Sequence, residues 1–485
     1  MNSLKAQGGK AFLWDLFGKM ATHGMGFVVT IFLARLLEPS DFGLIAMVMV
    51  VIGMASVFTD VGLGGALIQR RKVRPIHYAS VFYFNIVVGF FLTLITYFSA
   101  PWISEFYNNA QLLPLAQVMA LSFAINAFSS VQSTRLRKEL NYALLTRIGL
   151  ISSLSSGVLG ISLALWGAGV WSLVAQTLTM GIVYNIFIWS AANWKPSLEF
   201  SWKALTQLWG FGFRMFLSGM LEAIFTNLDF LIIGKLFPPA TLGYFQRAKS
   251  LNGMAVQYSS GSLIAVLFPV LSKVQKDLPR FQSIVIKGFG IISFVIFFLL
   301  GSLYLVSEEL IVLLFSDKWL PSVELFKILV LSGFAYPLSA LLVNVLSSRG
   351  NSKAFLRLEI YKKLIASVSF FILYLWGVEA FLYSLLINAT LAVSLNIIFI
   401  SREILLPFSM LAKPLITQMG IAVAGVVITE WIFQNMELID IIMLIVKGSM
   451  FTALYIGLNY VLKTNSFGYF LEQMMPLIRN ILVKK

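Results

Sequence analysis

The chain has 485 residues, of which 59% are hydrophobic and 12% charged, and its formal net charge is +15. Soluble domains carry about 25% charged residues, so this composition excludes a soluble globular domain and a disordered chain. The absence of cysteine also excludes a disulfide scaffold and cysteine-based metal sites. Apolar runs are continuous and helix-length, as in the uncharged stretch 288–306. Since about 20 apolar residues cross a bilayer core as a helix, the sequence predicts an all-α polytopic membrane protein.

The helical periodicity and the turn residues predict the positions of the spans. Prolines at 39, 238–239 and 321 separate apolar runs, because proline removes a backbone donor and disfavours helix before it. The first run lacks a cleavage site and is expected to be retained as a span. Residues 465–485 are expected to form a surface helix. We predict fourteen spans: 11–36, 42–68, 77–100, 112–134, 143–166, 169–190, 207–235, 240–271, 284–307, 321–347, 355–376, 379–401, 409–433 and 440–462.

Basic residues alternate strictly between the predicted loops. Of the 36 Lys and Arg residues, 27 fall in every second loop or at the span ends that border it. The opposite side carries only Arg35, Lys235 and Lys318. Lys and Arg collect in cytoplasmic loops, so the pattern predicts that both termini are cytoplasmic. It also assigns the net positive charge to topology and not to nucleic acid.

Short matches between the two halves indicate an internal duplication. Residues 35–43 (RLLEPSDFG) resemble 235–243 (KLFPPATLG), and 165–167 (LWG) recurs at 375–377. The predicted domains are therefore an N-lobe of helices 1–6 over 1–200, a C-lobe of helices 7–12 over 201–405, and helices 13–14 with a cytoplasmic tail over 406–485. Recurrence of Pro and Gly at turns is the alternative explanation.

The sequence carries no recognisable enzyme motif. A phosphate-binding G-x-x-x-x-G-K-[ST] loop is absent. The run 62–65 (GLGG) lacks the third glycine of a dinucleotide fingerprint. These observations predict a non-enzyme that needs no cofactor and no metal.

Ionisable residues inside the predicted spans are the candidate functional groups, because each costs about 2.5–3.5 kcal/mol on insertion scales. In the first span, Asp15 and Lys19 are spaced i, i+4 and can pair. Asp60 in the second span lies at nearly the depth of Lys19. Lys327 and Lys447 lie near span ends and are expected to extend to the interface.

The second half carries a matching set. Arg214, Glu222 and Asp229 can share one face of span 7, and Arg247 in span 8 lies level with Asp229. Lys249 lies close to Arg247. Two interpretations stay open: buried ties such as Lys19–Asp60 and Asp229–Arg247, or a cationic cavity with partner carboxylates. Glu222, near mid-bilayer, is a candidate proton site.

Several of these segments resemble the polysaccharide transporter family. The resemblance rests on 58–69 (FTDVGLGGALIQ), 33–37 (LARLL) with 42–43 (FG), 243–248 (GYFQRA) and 268–272 (FPVLS). It covers most of 1–400 and indicates a Wzx-type flippase of the branch that includes colanic-acid and teichuronic-acid exporters. That branch lies within the multidrug/oligosaccharidyl-lipid/polysaccharide (MOP) superfamily, which also contains the MATE multidrug transporters.

The resemblance implies movement of an undecaprenyl-diphosphate-linked oligosaccharide from the cytoplasmic to the periplasmic leaflet of the bacterial inner membrane by alternating access. Implied partners are that lipid, the bilayer, and polysaccharide polymerase and assembly machinery. The family's cavity is cationic, and Lys19, Arg214, Arg247 and Lys249 could supply it here. Asp15, Asp60, Glu222 and Asp229 are then ion-pair or coupling candidates.

Related functions remain alternatives at this point. A multidrug or cation antiporter of the same superfamily would more often stop at twelve spans and use an acidic cavity. A peptidoglycan-precursor flippase also has fourteen spans. A membrane glycosyltransferase or polymerase would be an enzyme, and would usually carry a cytosolic domain or a long periplasmic loop, neither of which the sequence predicts.

Overall fold

A computed structural model describes residues 2–191, 194–436 and 438–483, and within them the chain is helical without any strand. The helices are α1 (Asn2–Leu36), α2 (Pro39–Asp60), α3 (Leu63–Gln69), α4 (Pro75–Tyr107), α5 (Leu112–Lys138), α6 (Tyr142–Leu165), α7 (Trp171–Ala191), α8 (Trp202–Leu236), α9 (Pro239–Lys273), α10 (Leu278–Leu305), α11 (Ser307–Phe315), α12 (Pro321–Ser332), α13 (Ala335–Arg349), α14 (Ser352–Glu403), α15 (Phe408–Phe433), α16 (Asp440–Val461) and α17 (Asn465–Val483).

Twelve helical stretches among the described residues are long and apolar enough to cross a membrane. The expectation of an all-α polytopic membrane protein is therefore confirmed. The predicted surface helix at the C-terminus corresponds to α17. The side chains of 257–270 and 272 lie outside the described residues, and they include most of the 268–272 motif.

The first compact unit comprises residues 1–246. Its helices pack through small residues, as membrane helices commonly do because lipid offers no hydrophobic drive for association. On α1 and α6, a Cβ at Gly18 would overlap Thr146 and a Cβ at Gly157 would overlap Val29. A glycine also lets α4 and α5 approach closely, since Gly89 of α4 lies against the backbone of Phe123 of α5. These close approaches fix how α1 packs on α6 and how α4 packs on α5.

The predicted second span, 42–68, is wrong as a single helix. The chain leaves helical geometry at Val61 (φ 45°) and Gly62 (φ 70°), which separate α2 from α3. A Cβ at Gly62 would overlap the carbonyl oxygen of Gly212 on α8, so both conformation and space favour glycine. The Asp60 carboxylate accepts the backbone N–H of Gly64 at 3.0 Å and satisfies one donor freed by the break.

The second compact unit comprises residues 247–485. Its longest helix, α14, is interrupted at Gly377 (φ 86°, ψ −173°). Two contacts pair residues on opposite sides of this break. Ser384 donates to Ser369 at 2.8 Å, and Asn351 donates to Glu403 at 2.7 Å. Because contacts in α14 pair its beginning with its end, its halves run antiparallel, in agreement with the predicted spans 355–376 and 379–401.

Two further predictions in this unit are corrected. The expected span 321–347 is present as one candidate span over Pro321–Arg349, with a turn at Gly333 between α12 and α13, where a Cβ would be crowded by Val256 and Leu300. The segment before it, read from sequence as a loop, contains the short helix α11. Lys447 does not extend to the interface as expected, since its ammonium group pairs with the 6% exposed Glu309 on α11. A cation inside a membrane-spanning helix is stabilised by a carboxylate partner of this kind.

We predict that the loop containing Lys72 and the loop containing Asn108 lie on opposite sides of the membrane. The alternation of basic loops predicts Lys72 as cytoplasmic and Asn108 as periplasmic. Both side chains are exposed. Single Lys72→Cys and Asn108→Cys variants label cleanly because the chain has no cysteine. A membrane-impermeant maleimide added to whole cells should label Asn108→Cys only, and the reverse result contradicts the topology.

We also predict that Gly62→Ala destabilises the protein. A left-handed residue with a Cβ costs about 1–2 kcal/mol, and the new methyl group would meet the Gly212 carbonyl. The matched control is Gly24→Ala in α1, where nothing lies within 4 Å of the added Cβ and alanine favours helix. Thermal unfolding in detergent should give a lower melting temperature for Gly62→Ala only. Equal melting temperatures would show that the break at Gly62 carries no strain.

Candidate functional site

A polar stripe follows the exposed face of α8. Arg214, Ser218 and Glu222 are spaced i, i+4, i+8 and all three are exposed. Each step rotates by about 40° around the helix axis, so the three side chains share one face. Within residues 2–191, 194–436 and 438–483, neither Arg214 nor Glu222 forms a hydrogen bond or ion pair. Two charged side chains exposed on an apolar helix require water or a ligand around them, because hydrocarbon would not solvate their charges.

The helix α1 carries a second stripe with the same spacing. Asp15, Lys19 and His23 lie at i, i+4, i+8, and the Lys19 ammonium donates to the Asp15 carboxylate at 2.7 Å. The lysine side chain nevertheless remains 65% exposed. This is the pair that the spacing predicts. It leaves Lys19 open to a second anion, because an ammonium group has three donors.

Asp60 does not form the tie with Lys19 that equal depth suggested. Its carboxylate accepts the Gly64 N–H and lies 3.4 Å from the Asn85 amide nitrogen. The same nitrogen donates to Ser130 at 3.1 Å. Asp60 is thus placed by the α2–α3 break. Equal depth does not imply an equal face of the helix, which is why the pairing expected from depth alone is wrong.

Arg247 is buried in the second unit. It is 5% exposed, and its guanidinium carbon lies 5.0 Å and 5.2 Å from the ring centroids of Phe315 and Trp319. Cation–π contacts of this kind are worth about 2 kcal/mol or more when desolvated. These two contacts hold the end of α11 and the turn that contains Trp319 against α9. This location favours a structural contribution for Arg247 over direct contact with a large ligand.

The other two predicted residues are less accessible than Arg214. Asp229 is 7% exposed, and its carboxylate accepts the Phe230 backbone N–H at 2.9 Å. Lys249 is half-buried. Pairing of Asp229 with Arg247 stays a prediction.

Sequence reasoning missed the contacts that hold the beginning of α8. The Gln207 side-chain oxygen accepts from Arg70 at 2.6 Å and lies 3.1 Å from His77 Nε2. His77 Nδ1 in turn accepts the Arg74 backbone N–H, so the other ring nitrogen carries the proton donated to Gln207 in the neutral ring. Lys138 donates to the Arg70 carbonyl at 2.6 Å. Arg70, interpreted from sequence as a topology signal, therefore also anchors α8 two turns before Arg214.

The geometry suits an anionic ligand. Arginine presents a planar fork that binds phosphate or carboxylate with two parallel hydrogen bonds, whereas lysine acts as a point charge. Arg214 on α8 and Lys19 on α1 supply one of each on exposed faces, with Ser218 as a further hydroxyl donor. The i, i+4 repetition of polar side chains was visible in the sequence and could have identified Ser218.

Comparison with known proteins adds a family match and named relatives. A family model described as "Polysaccharide biosynthesis protein" matches residues 32–324. The lipopolysaccharide biosynthesis protein WzxC of Escherichia coli (strain K12) is 23% identical over 327 residues, which cover 66% of this chain and 65% of that protein. The teichuronic acid biosynthesis protein TuaB of Bacillus subtilis (strain 168) is 27% identical over 289 residues, 58% of each chain. The matched region thus spans less than two thirds of the length of either relative.

Solved structures agree on the fold. The lipid II flippase MurJ in an inward closed conformation has a TM-score of 0.70 at 13% identity and covers 93% of this chain and 100% of its own. An inward-facing MATE family multidrug transporter of the MOP superfamily has a TM-score of 0.61 at 15% identity, with coverages of 83% and 99%. At these identities the likeness concerns the fold alone. It agrees with the all-α polytopic membrane fold that the sequence predicts.

Proposed function

Because the chain belongs to the family of polysaccharide biosynthesis proteins, we propose that it is a flippase of the bacterial inner membrane. Its substrate in this proposal is an undecaprenyl-diphosphate-linked oligosaccharide, a repeat unit of exopolysaccharide, O-antigen or capsule. The protein moves it from the cytoplasmic to the periplasmic leaflet by alternating access. The observation that carries the proposal is Arg214, an exposed cation within an apolar helix that forms no ion pair with the described residues.

The diphosphate is held by the stripes on α1 and α8. Arg214 binds it through two parallel hydrogen bonds, and Lys19 contributes a second positive charge. Asp15 competes with the substrate for Lys19, so substrate entry loosens a contact within α1. Asp229 supports the site from α8, and Asp60 holds the α2–α3 break. Lys249 and Arg247 belong to the second unit, where Arg247 acts through its aromatic contacts. The isoprenoid tail stays in the bilayer while the head crosses.

The proposal also includes the number of membrane crossings and their division into lobes. The twelve candidate spans count α14 once and do not include α9. The 35-residue α9 is long enough to span a bilayer core of about 30 Å. With α14 counted as two crossings, the total becomes fourteen, with both termini cytoplasmic. The two six-helix lobes over 1–200 and 201–405 and the added pair over 406–485 complete this arrangement.

A peptidoglycan-precursor flippase is the second candidate, because the MurJ fold covers 93% of this chain. That likeness concerns the fold, whereas the family match concerns polysaccharide biosynthesis. The unpaired arginine also disfavours a drug antiporter that recognises cations. Deletion of the gene followed by analysis of lipid-linked intermediates separates these candidates, since the missing activity makes one specific lipid-linked sugar accumulate on the cytoplasmic leaflet.

We predict that Arg214→Ala reduces export at least tenfold. Loss of a hydrogen bond to a charged group costs about 1.5–3 kcal/mol, and each 1.4 kcal/mol is a factor of ten. Arg214→Lys should retain part of the activity, since it keeps the charge but loses the fork. The measurement is polysaccharide export in a deletion strain at equal protein level. The matched control is Lys203→Ala, an exposed residue on the same helix.

Full export by both Arg214 variants would exclude Arg214 from the site. A combined Arg214→Ala/Glu222→Ala variant distinguishes the remaining cases. Recovery of export on removing the acid indicates that the two charges compensate each other structurally. Continued loss with normal protein level supports direct binding of the diphosphate.

We further predict that transport depends on an ion gradient or on substrate flux and not on ATP hydrolysis by this chain. The chain has no phosphate-binding loop, and Glu222 is an exposed acid within α8. In proteoliposomes, an imposed pH gradient should change the rate of wild-type flipping but not that of Glu222→Gln. Equal responses of the two proteins would remove Glu222 as a proton site, and ATPase activity abolished by a point mutation would contradict the prediction.

A further inference from the structure

The turn between α16 and α17 is held by a buried polar network. The chain reverses at Lys463, which has a left-handed backbone (φ 47°). Gln418 on α15 donates to the Asn459 side-chain oxygen at 2.8 Å. The Thr464 hydroxyl donates to the same oxygen. This network fixes the direction in which α17 begins.

The beginning of α17 presents unpaired backbone donors. The Gly468 N–H bonds to the Thr464 carbonyl at 3.1 Å, so Thr464 is the N-cap residue. Its hydroxyl is committed to Asn459 and does not cap the helix. The N–H groups of Asn465, Ser466 and Phe467 have no intrahelical partner, as at every helix N-terminus. Such a terminus carries about half a positive charge and favours anions.

A pocket of about 530 Å³ opens at this terminus. Lys413 from α15 and Lys463 from the turn line it, and both are exposed. The lining residues include no Asp or Glu. Neither lysine forms an ion pair with a residue in the described part of the chain. Two cations and a helix N-terminus therefore converge in a pocket with no acid in its lining. Glu472, which shares a neighbouring pocket with Lys463, pairs with Lys287 at 3.0 Å.

Ser466 gives a second, independent indication of a ligand. It is 3% exposed and lines the same pocket. Its hydroxyl forms no hydrogen bond within the described residues. The small surface that Ser466 retains is open to the pocket, and no acceptor within the described residues uses its hydroxyl. A ligand oxygen in the pocket could therefore accept a hydrogen bond from it.

The position of the pocket indicates the kind of anion. The pocket lies where α15 begins and α16 ends, and both helices are candidate spans. Phe467 and Phe470 of α17 pack on Phe294 of α10 with ring centroids 5.4 Å and 5.0 Å away. The pocket is thus at a membrane surface, with Ile286, Met410 and Leu462 as apolar walls.

We propose that this pocket binds the phosphate of an anionic phospholipid headgroup. Lys413 and Lys463 supply the charge, the first N–H groups of α17 and the Ser466 hydroxyl supply hydrogen bonds, and the apolar wall contacts the acyl chains. Basic residues that only set topology would not need to converge on a helix N-terminus. The site is independent of the Arg214 stripe and of the proposed flipping of a lipid-linked sugar.

Native mass spectrometry of the purified full-length protein tests the proposal. Phosphatidylglycerol and phosphatidylcholine are added to the protein in detergent, and the wild type should retain phosphatidylglycerol preferentially. One lysine near an anionic surface contributes about fivefold in affinity. Lys413→Ala/Lys463→Ala should therefore weaken phosphatidylglycerol binding by roughly 30-fold. The control Lys276→Ala/Lys353→Ala removes two exposed lysines elsewhere in the same unit and should bind like the wild type.

A second variant separates binding from folding. Asn465→Asp places an acid in the first turn of α17, which stabilises a helix but repels an anion. The melting temperature should be unchanged or higher while phosphatidylglycerol binding falls. Equal phosphatidylglycerol binding by the wild type and the Lys413→Ala/Lys463→Ala protein would overturn the proposal. Displacement of the lipid by millimolar inorganic phosphate would also overturn it, since the site would then select a free anion and not a headgroup.

Discussion

The absence of water in the bilayer core governs this chain. Any backbone group freed from a helix and any unpaired charge there costs several kcal/mol. Two helix breaks in the first unit are accordingly accompanied by a polar side chain that reaches them. Asp60 accepts the N–H freed after the Val61–Gly62 break, and Lys138 donates to the carbonyl of Arg70 beyond α3. Arg214 and Glu222 form no ion pair with the residues that the structure describes, and for this reason we propose that a ligand binds at this part of α8.

Much of the fold follows from the sequence, because hydrophobic length and proline position are strong signals. Proline at 39, 75, 239 and 321 opens a helix in each case. The interruptions inside apolar runs were harder to anticipate. Gly62 and Gly377 adopt positive φ, whereas Gly89 and Gly157 are helical and serve close packing. Sequence alone does not separate these two uses of glycine, since each depends on what lies opposite the missing Cβ.

The candidate site was partly accessible to the same reasoning. Helical spacing predicts the Asp15–Lys19 pair, since i, i+4 neighbours meet on a helix whatever the tertiary structure. It also places Arg214 and Glu222 on one face. It does not give the partners of Asp60, which depend on a break in the helix, or the aromatic surroundings of Arg247, which depend on α11. Local geometry was therefore predictable, and contacts between helices were not.

The meeting of Gly62 and Gly212 has a mechanical consequence. Bulky side chains close around it, since Met215 lies next to the missing Cβ of Gly62, and Leu205 and Leu208 of α8 pack with Leu63 and Leu67 of α3. Arg214 lies only two residues from Gly212, about 3 Å along the axis. The break after Asp60 therefore fixes the depth of Arg214, and any displacement of α8 would carry α3 along with it.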